Sequence, residues 1–111
     1  MNIIPIKPLS VNTAWQGQRF KTRAYKAFEI RCLYTIKKHP IPEGRLSITL
    51  EFGFSNTSMD IDNPIKMCLD ILQKKLLFND NRIYELNVKK VMVKKGSEYW
   101  GYKIERWHEA T

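Results

Sequence analysis

Two carboxylates, Asp60 and Asp62, stand two residues apart just before a predicted helix, and a third, Asp80, lies just beyond its end. On an extended segment, residues two apart point to the same side, so Asp60 and Asp62 can converge on one point and form half of a site. Lys66 falls on the first turn of the helix, where its ammonium group can reach the same space as the carboxylates. The N-D-N turn signal at 79–81 carries Asp80 into a loop, and spacing alone does not establish whether it turns back toward the first two acids. A simpler alternative needs no ligand, because acids near a helix start interact favourably with its dipole.

Several elements must position these residues. Asn63 and Pro64 make a strong helix start, since an Asn cap satisfies an orphan N–H and Pro at the first helical position gives up a donor that has no partner there. Ile65, Leu69, Leu72 and Leu76 then form an apolar stripe, with Lys66, Asp70 and Lys74 on another face. Asp70 is expected to pair with Lys66 or Lys74, and the helix to end near Phe78. Upstream, residues 44–54 are the clearest strand, because Leu46, Ile48, Leu50, Phe52 and Phe54 alternate strictly with polar residues and glycine and aim at the Asp pair. Tyr25, Phe28, Cys32 and Ile36 recur at helical spacing over residues 22–38, a helix ended by His39-Pro40.

Residues 2–6 form a short apolar strand that Pro5 and Pro8 confine to an edge or a strand end. Residues 9–21 form a loop in which Trp15 and Phe20 lie near Arg19, Lys21 and Arg23; such aromatics can stack bases while the cations meet phosphates, or Trp15 can cover the core edge. Residues 82–95 give a second long strand whose apolar phase changes across Lys89-Lys90, predicting a bulge there. Gly96-Ser97 makes a turn into a last strand over 99–107, predicting a hairpin. The reading is a single α+β domain over residues 1–111, two helices packed on a mixed β-sheet in the order β-α-β-α-β-β.

Nineteen Lys and Arg against eleven Asp and Glu leave a formal charge of +8 on 111 residues, a balance that suggests a nucleic-acid partner. No apolar run approaches the ~20 residues that span a bilayer, and the N-terminus lacks the charged and apolar regions of a signal peptide, so a cytoplasmic protein is expected. Cys32 and Cys68 lack C-x-x-C or histidine spacing and are expected to be buried free thiols rather than zinc ligands. Neither His39 nor His108 has a plausible nucleophile and acid beside it.

D-I-D-N-x-x-K-x-x-x-D followed by N-D-N-R-I resembles the RusA-like family of Holliday-junction endonucleases, and P-L-S-V-N, with Pro8, Ser10 and Asn12, looks like that family's opening motif. The resemblance covers roughly residues 3–106. It implies that Asp60, Asp62 and Asp80 bind Mg²⁺ and that Lys66 is the essential residue beside them. It further implies a homodimer acting on branched DNA in recombination and repair, with no nucleotide cofactor and no membrane. Asn79 departs from the pattern, standing where the family usually has an acid, which implies altered metal affinity.

Phosphodiester cleavage needs charge neutralised on the phosphate and an activated water, and a carboxylate-bound Mg²⁺ supplies both. The leading expectation is therefore an Mg²⁺-dependent endodeoxyribonuclease for four-way junctions. Its rivals are a nucleic-acid-binding protein without catalysis and a nuclease for another branched DNA. Lys89, Lys90, Lys94 and Lys95 join Arg19, Lys21 and Arg23 as candidate DNA contacts, unless the lysine run only protects a strand edge from aggregation.

Overall fold

The computed structural model describes residues 1–9, 15–16 and 20–109. In chain order its elements are β1 (Asn2–Ile4), β2 (Trp15–Gln16), β3 (Phe20–Lys21), α1 (Arg23–Thr35), β4 (Leu46–Phe54), α2 (Ile65–Leu76), a 3-10 turn (Asp80–Arg82), β5 (Ile83–Met92) and β6 (Tyr99–Arg106). Strand β4 is the axis of the fold. Its Leu46, Ile48, Leu50, Phe52 and Phe54 are all buried, because alternate residues of a pleated strand share one face and here that whole face is apolar.

The sheet runs β1-β6-β4-β5, with β4 antiparallel to β6 and parallel to β5, and β1 antiparallel to β6. Two helices and a mixed four-stranded sheet in the expected order are therefore present. A two-residue ribbon, β2 with β3, is added inside the segment expected to be a loop. Strand β1 is an edge, as the flanking prolines require.

The expected C-terminal hairpin does not form. Strands β5 and β6 flank β4 on opposite sides, so the connection through Gly96 steps over the end of β4 instead of folding one strand onto the other. Val93 N–H donates to Phe54 O at 2.8 Å, and the Glu98 carboxylate accepts from Gly96 N–H at 2.8 Å and from the Ser55 hydroxyl at 2.7 Å, which pins the crossing to the end of β4. Gly96 has φ +94°, a backbone that favours glycine.

No bulge lies at Lys89-Lys90 either. The β4–β5 register is continuous from Ser47↔Glu85 to Phe54↔Met92, and its one shift, between Leu46↔Ile83 and Ser47↔Glu85, leaves Tyr84 as the extra residue. Lys90 simply takes a helix-side position and Lys89 the opposite face. The helix-side lysine is tolerated at the open end of the sheet, where its Nζ lies 5.9 Å from the Phe54 ring centroid and bonds backbone carbonyls.

Both helices are shorter than expected. Helix α1 starts where the Thr22 hydroxyl accepts Tyr25 N–H at 3.2 Å and gives way at Ile36, burying Tyr25, Phe28 and Cys32. Helix α2 begins after Pro64, with no side-chain cap, and residues 61–64 form turns before it, so Asn63 does not act as the cap. It ends at Leu77 in the left-handed region, φ 58°. Met67, Cys68, Ile71, Leu72 and Leu76 are buried, whereas Ile65 and Leu69 are only half-buried, because α2 packs on the sheet and on Tyr25 of α1 at once. Cys32 and Cys68 are buried free thiols, and burial pushes the Cys32 thiol up to about 11.

Glu29 clamps β3, α1 and α2 together. Its carboxylate accepts from Lys21 and from Lys74, each at 3.0 Å, so Lys74 pairs with Glu29 and not with Asp70. Burial raises the Glu29 carboxyl, but the two ammonium groups outweigh it and hold the group below its ordinary value of 4.5. A carboxylate lowered in this way contributes stability above pH 4.5 that is lost as pH falls through the folded value. Urea unfolding across an acid pH series should therefore show a shallower acid-side loss for Glu29→Gln than for wild type; equal slopes would show that the clamp carries no linkage.

Candidate metal site and nucleic-acid interface

Beyond Phe54 the chain leaves the sheet through Ser55 and turns twice before α2, and this turn carries Asp60 and Asp62. Met59 N–H donates to Asn56 O, Asn63 N–H to Asp60 O and Ile65 N–H to Asp62 O, each at 3.3 Å, while Asn56 Oδ1 accepts from Ser58 N–H at 2.9 Å. The backbone of the turn is thus internally bonded while both Asp residues stay exposed. Among the described residues neither carboxylate has a hydrogen-bonding or ionic partner.

The first turn of α2 holds no acid, and Asp62 precedes its cap by two residues. A helix-dipole role, which fades beyond the first turn, does not account for the pair. Two partnerless carboxylates on a bonded turn are an all-oxygen donor set, the chemistry that suits a small hard cation keeping several of its waters. Lys66 is exposed on the first turn of α2, four residues after Asp62 in the chain.

Asp80 does not join them. It opens the 3-10 turn that leads into Ile83, which pairs with Leu46 at the start of β4, whereas Asp60 and Asp62 follow Phe54 at its end. Nine strand residues separate the two ends by about 26 Å. Consistently, among the described residues no group of three or more His, Cys, Asp or Glu is placed to hold a metal. Asn79, the departure from the family motif, caps the turn before Asp80: its Oδ1 accepts Asn81 N–H at 3.0 Å.

The basic residues divide by position. Lys90 reaches the acidic turn, its ammonium donating to Thr57 O at 3.0 Å and Met59 O at 2.5 Å. Lys94 and Lys95 are exposed on the crossing at the same end of the sheet. Lys89 lies on the outer face, opposite Glu51 in the β4–β5 register. Lys21 is engaged by Glu29, with its Nζ 4.7 Å from the Tyr25 ring centroid; Arg23 is exposed on the first turn of α1, and Arg19 lies outside the described residues. Sequence reasoning missed Lys90 as a support of the turn and Glu98 as the anchor of the crossing. The misplaced phase of Lys90 was the signal, since a lysine in an apolar series needs a partner for its charge.

Lys90, Lys94 and Lys95 at the same end of the sheet as two exposed carboxylates suit a polyanion brought to an acidic site, which is the class of nucleic-acid-processing proteins. The sequence model for Endodeoxyribonuclease RusA matches residues 5–98. The chain belongs to that family of endodeoxyribonucleases. No curated protein matches it. Among the described residues no helix is long and apolar enough to cross a membrane.

If Lys90 holds the acidic turn, Lys90→Met should leave the Tm nearly unchanged but speed amide hydrogen exchange at Met59 and Asn63 by about tenfold, as local opening requires. Unchanged exchange there would mean that the turn holds itself.

Proposed function

We propose that the chain is an Mg²⁺-dependent, structure-specific endodeoxyribonuclease that resolves four-way DNA junctions in recombination and repair in the cytoplasm. What carries this reading is the pair of partnerless carboxylates, Asp60 and Asp62, at the lysine-flanked end of β4 in a member of an endodeoxyribonuclease family. Asp60 and Asp62 would hold the ion, with Asp80 as the third ligand. When bound, Mg²⁺ would neutralise charge on the scissile phosphate and lower the pKa of a water. Lys66 offers an ammonium group to the charge that develops on the phosphate. Lys94, Lys95 and Arg23 guide the DNA backbone. Lys89, Lys21 and Arg19 add to the field that draws it in, and Lys90 keeps the acids in place while adding its own charge.

Asp80 lies a sheet length from the other acids, which favours a homodimer in which each site takes its third acid from a second copy. Strand β5 is an open edge, with Leu86 and Met92 exposed on its helix side. Antiparallel pairing of two β5 strands about Asn87 would set Lys89 opposite Glu85 and Val88 opposite Leu86, matching charge on one face and apolar surface on the other. It would also bring the start of one β5, with Asp80, to the end of the other, beside the turn with Asp60 and Asp62.

Incubating a synthetic four-way junction with and without Mg²⁺ tests the activity directly. Asp62→Asn should abolish cleavage and leave junction binding within about twofold, because it removes a ligand charge and no phosphate contact; full activity in that variant would remove Asp62 from the site. Mixing Asp62→Asn with Asp80→Asn should restore cleavage to about a quarter of the sites, since half of randomly paired dimers carry one intact site. No recovery from two stably folded, exchanging variants would show that each site is built within one chain.

A further inference from the structure

At the far end of the sheet, beside Asp80, three planar groups are assembled on the outer face. The Arg45 guanidinium carbon lies 4.7 Å from the Tyr84 ring centroid and 5.8 Å from that of Trp107, and the two rings are 5.2 Å apart at 43°. Tyr84 is the extra residue of the β4–β5 register shift, so the ladder does not fix its direction and the bulge aims it across the strand ends. It remains 54 % exposed, and Arg45 is exposed as well. A tyrosine needed only to close the core would be buried.

The support beneath this cluster is hydrogen-bonded on both sides. Trp107 N–H donates to Arg45 O at 2.9 Å, extending the β4–β6 ladder by one pair. The Arg82 guanidinium ties β5 to the approach of β4 by donating to Gly44 O at 2.8 Å and Pro42 O at 2.5 Å. Arg45, Arg106 and His108, together with the carboxylates Glu43 and Glu109, line a shallow recess of about 260 Å³ beside Trp107.

Tyr84 is exposed and Trp107 half-buried, and aromatic faces that reach solvent next to guanidinium groups stack unpaired bases while the cations meet the flanking phosphates. Base pairs inside a duplex offer no free face, so such a platform selects DNA in which a base has left the stack. We propose that Tyr84 and Trp107, held by Arg45, form a stacking site for an unpaired nucleotide of the DNA substrate. The ligand class rests on the reading of DNA as substrate; the platform rests on its own geometry.

The test is metal-free binding of an oligothymidylate carrying one 2-aminopurine, with a blunt duplex of equal length as comparison. Wild type should quench the 2-aminopurine, and Tyr84→Ala or Trp107→Leu should weaken single-strand binding about tenfold each while duplex binding stays within about twofold. Tyr84→Phe should bind as wild type. Photocrosslinking of a 5-iodouracil strand to the wild-type protein needs no variant, and label on Tyr84 or Trp107 is the expected result. Label elsewhere, or folded alanine and leucine variants with wild-type single-strand affinity, would overturn the platform while leaving the nuclease reading standing. Wild type that binds no DNA would overturn both.

Discussion

The parallel pairing of β4 with β5 is the constraint from which the arrangement of the site follows. Two parallel neighbours cannot be joined by a tight turn, so the chain must return along the whole length of β4 before β5 begins, and α2 is that return. The crossover fixes two distinct ends. One carries the exit of β4, with the turn of Asp60 and Asp62, the support from Lys90, and the crossing with Lys94 and Lys95. The other carries Asp80 and the cluster of Arg45, Tyr84 and Trp107. Acids close in sequence are therefore far apart in a single chain, for a reason that lies in strand direction and not in side-chain chemistry.

Much of this was legible in the sequence, and the failures share a cause. The alternation from Leu46 to Phe54 is unambiguous because that strand is buried on one face along its whole length, and Tyr25, Phe28 and Cys32 mark α1 for the same reason. Strand β5 carries a weaker pattern because it is an edge: Leu86 and Met92 are exposed, so nothing enforced a clean alternation, and the register shift at Tyr84 left no trace. Gly96 marks a reversal, but the same residue serves a hairpin and a step across a neighbouring strand. Sheet order is a property of the whole chain. One inference was available and missed: a predicted helix running from Pro64 to near Phe78, about 15 residues, is about 22 Å long, so its flanking acids cannot meet unless the chain doubles back.

Charge is used twice in this protein. Glu29 spends its carboxylate on Lys21 and Lys74, which ties β3, α1 and α2 together, and Glu98 spends its own on Gly96 and Ser55, which pins the crossing to the end of β4 where the acidic turn begins. Among the described residues Asp60 and Asp62 have no such partner, so their charges stay available to a ligand. The separation is physical: an acid paired with a nearby lysine is already neutralised, and a cation would have to displace that partner before binding.

The means by which the turn is held also separates site geometry from fold stability. The core row on β4 and the buried face of α2 persist whatever the turn does, because they are sustained by apolar burial. The turn is held by a few backbone bonds at 3.3 Å, a side-chain bond from Asn56 and the ammonium of Lys90. Each such exposed bond contributes on the order of 1 kcal/mol, so loss of one loosens the acids without unfolding the domain. A site set on such a turn can adjust to an incoming ion and phosphate, whereas one set within β4 would have to disturb the strand that the entire sheet is built on.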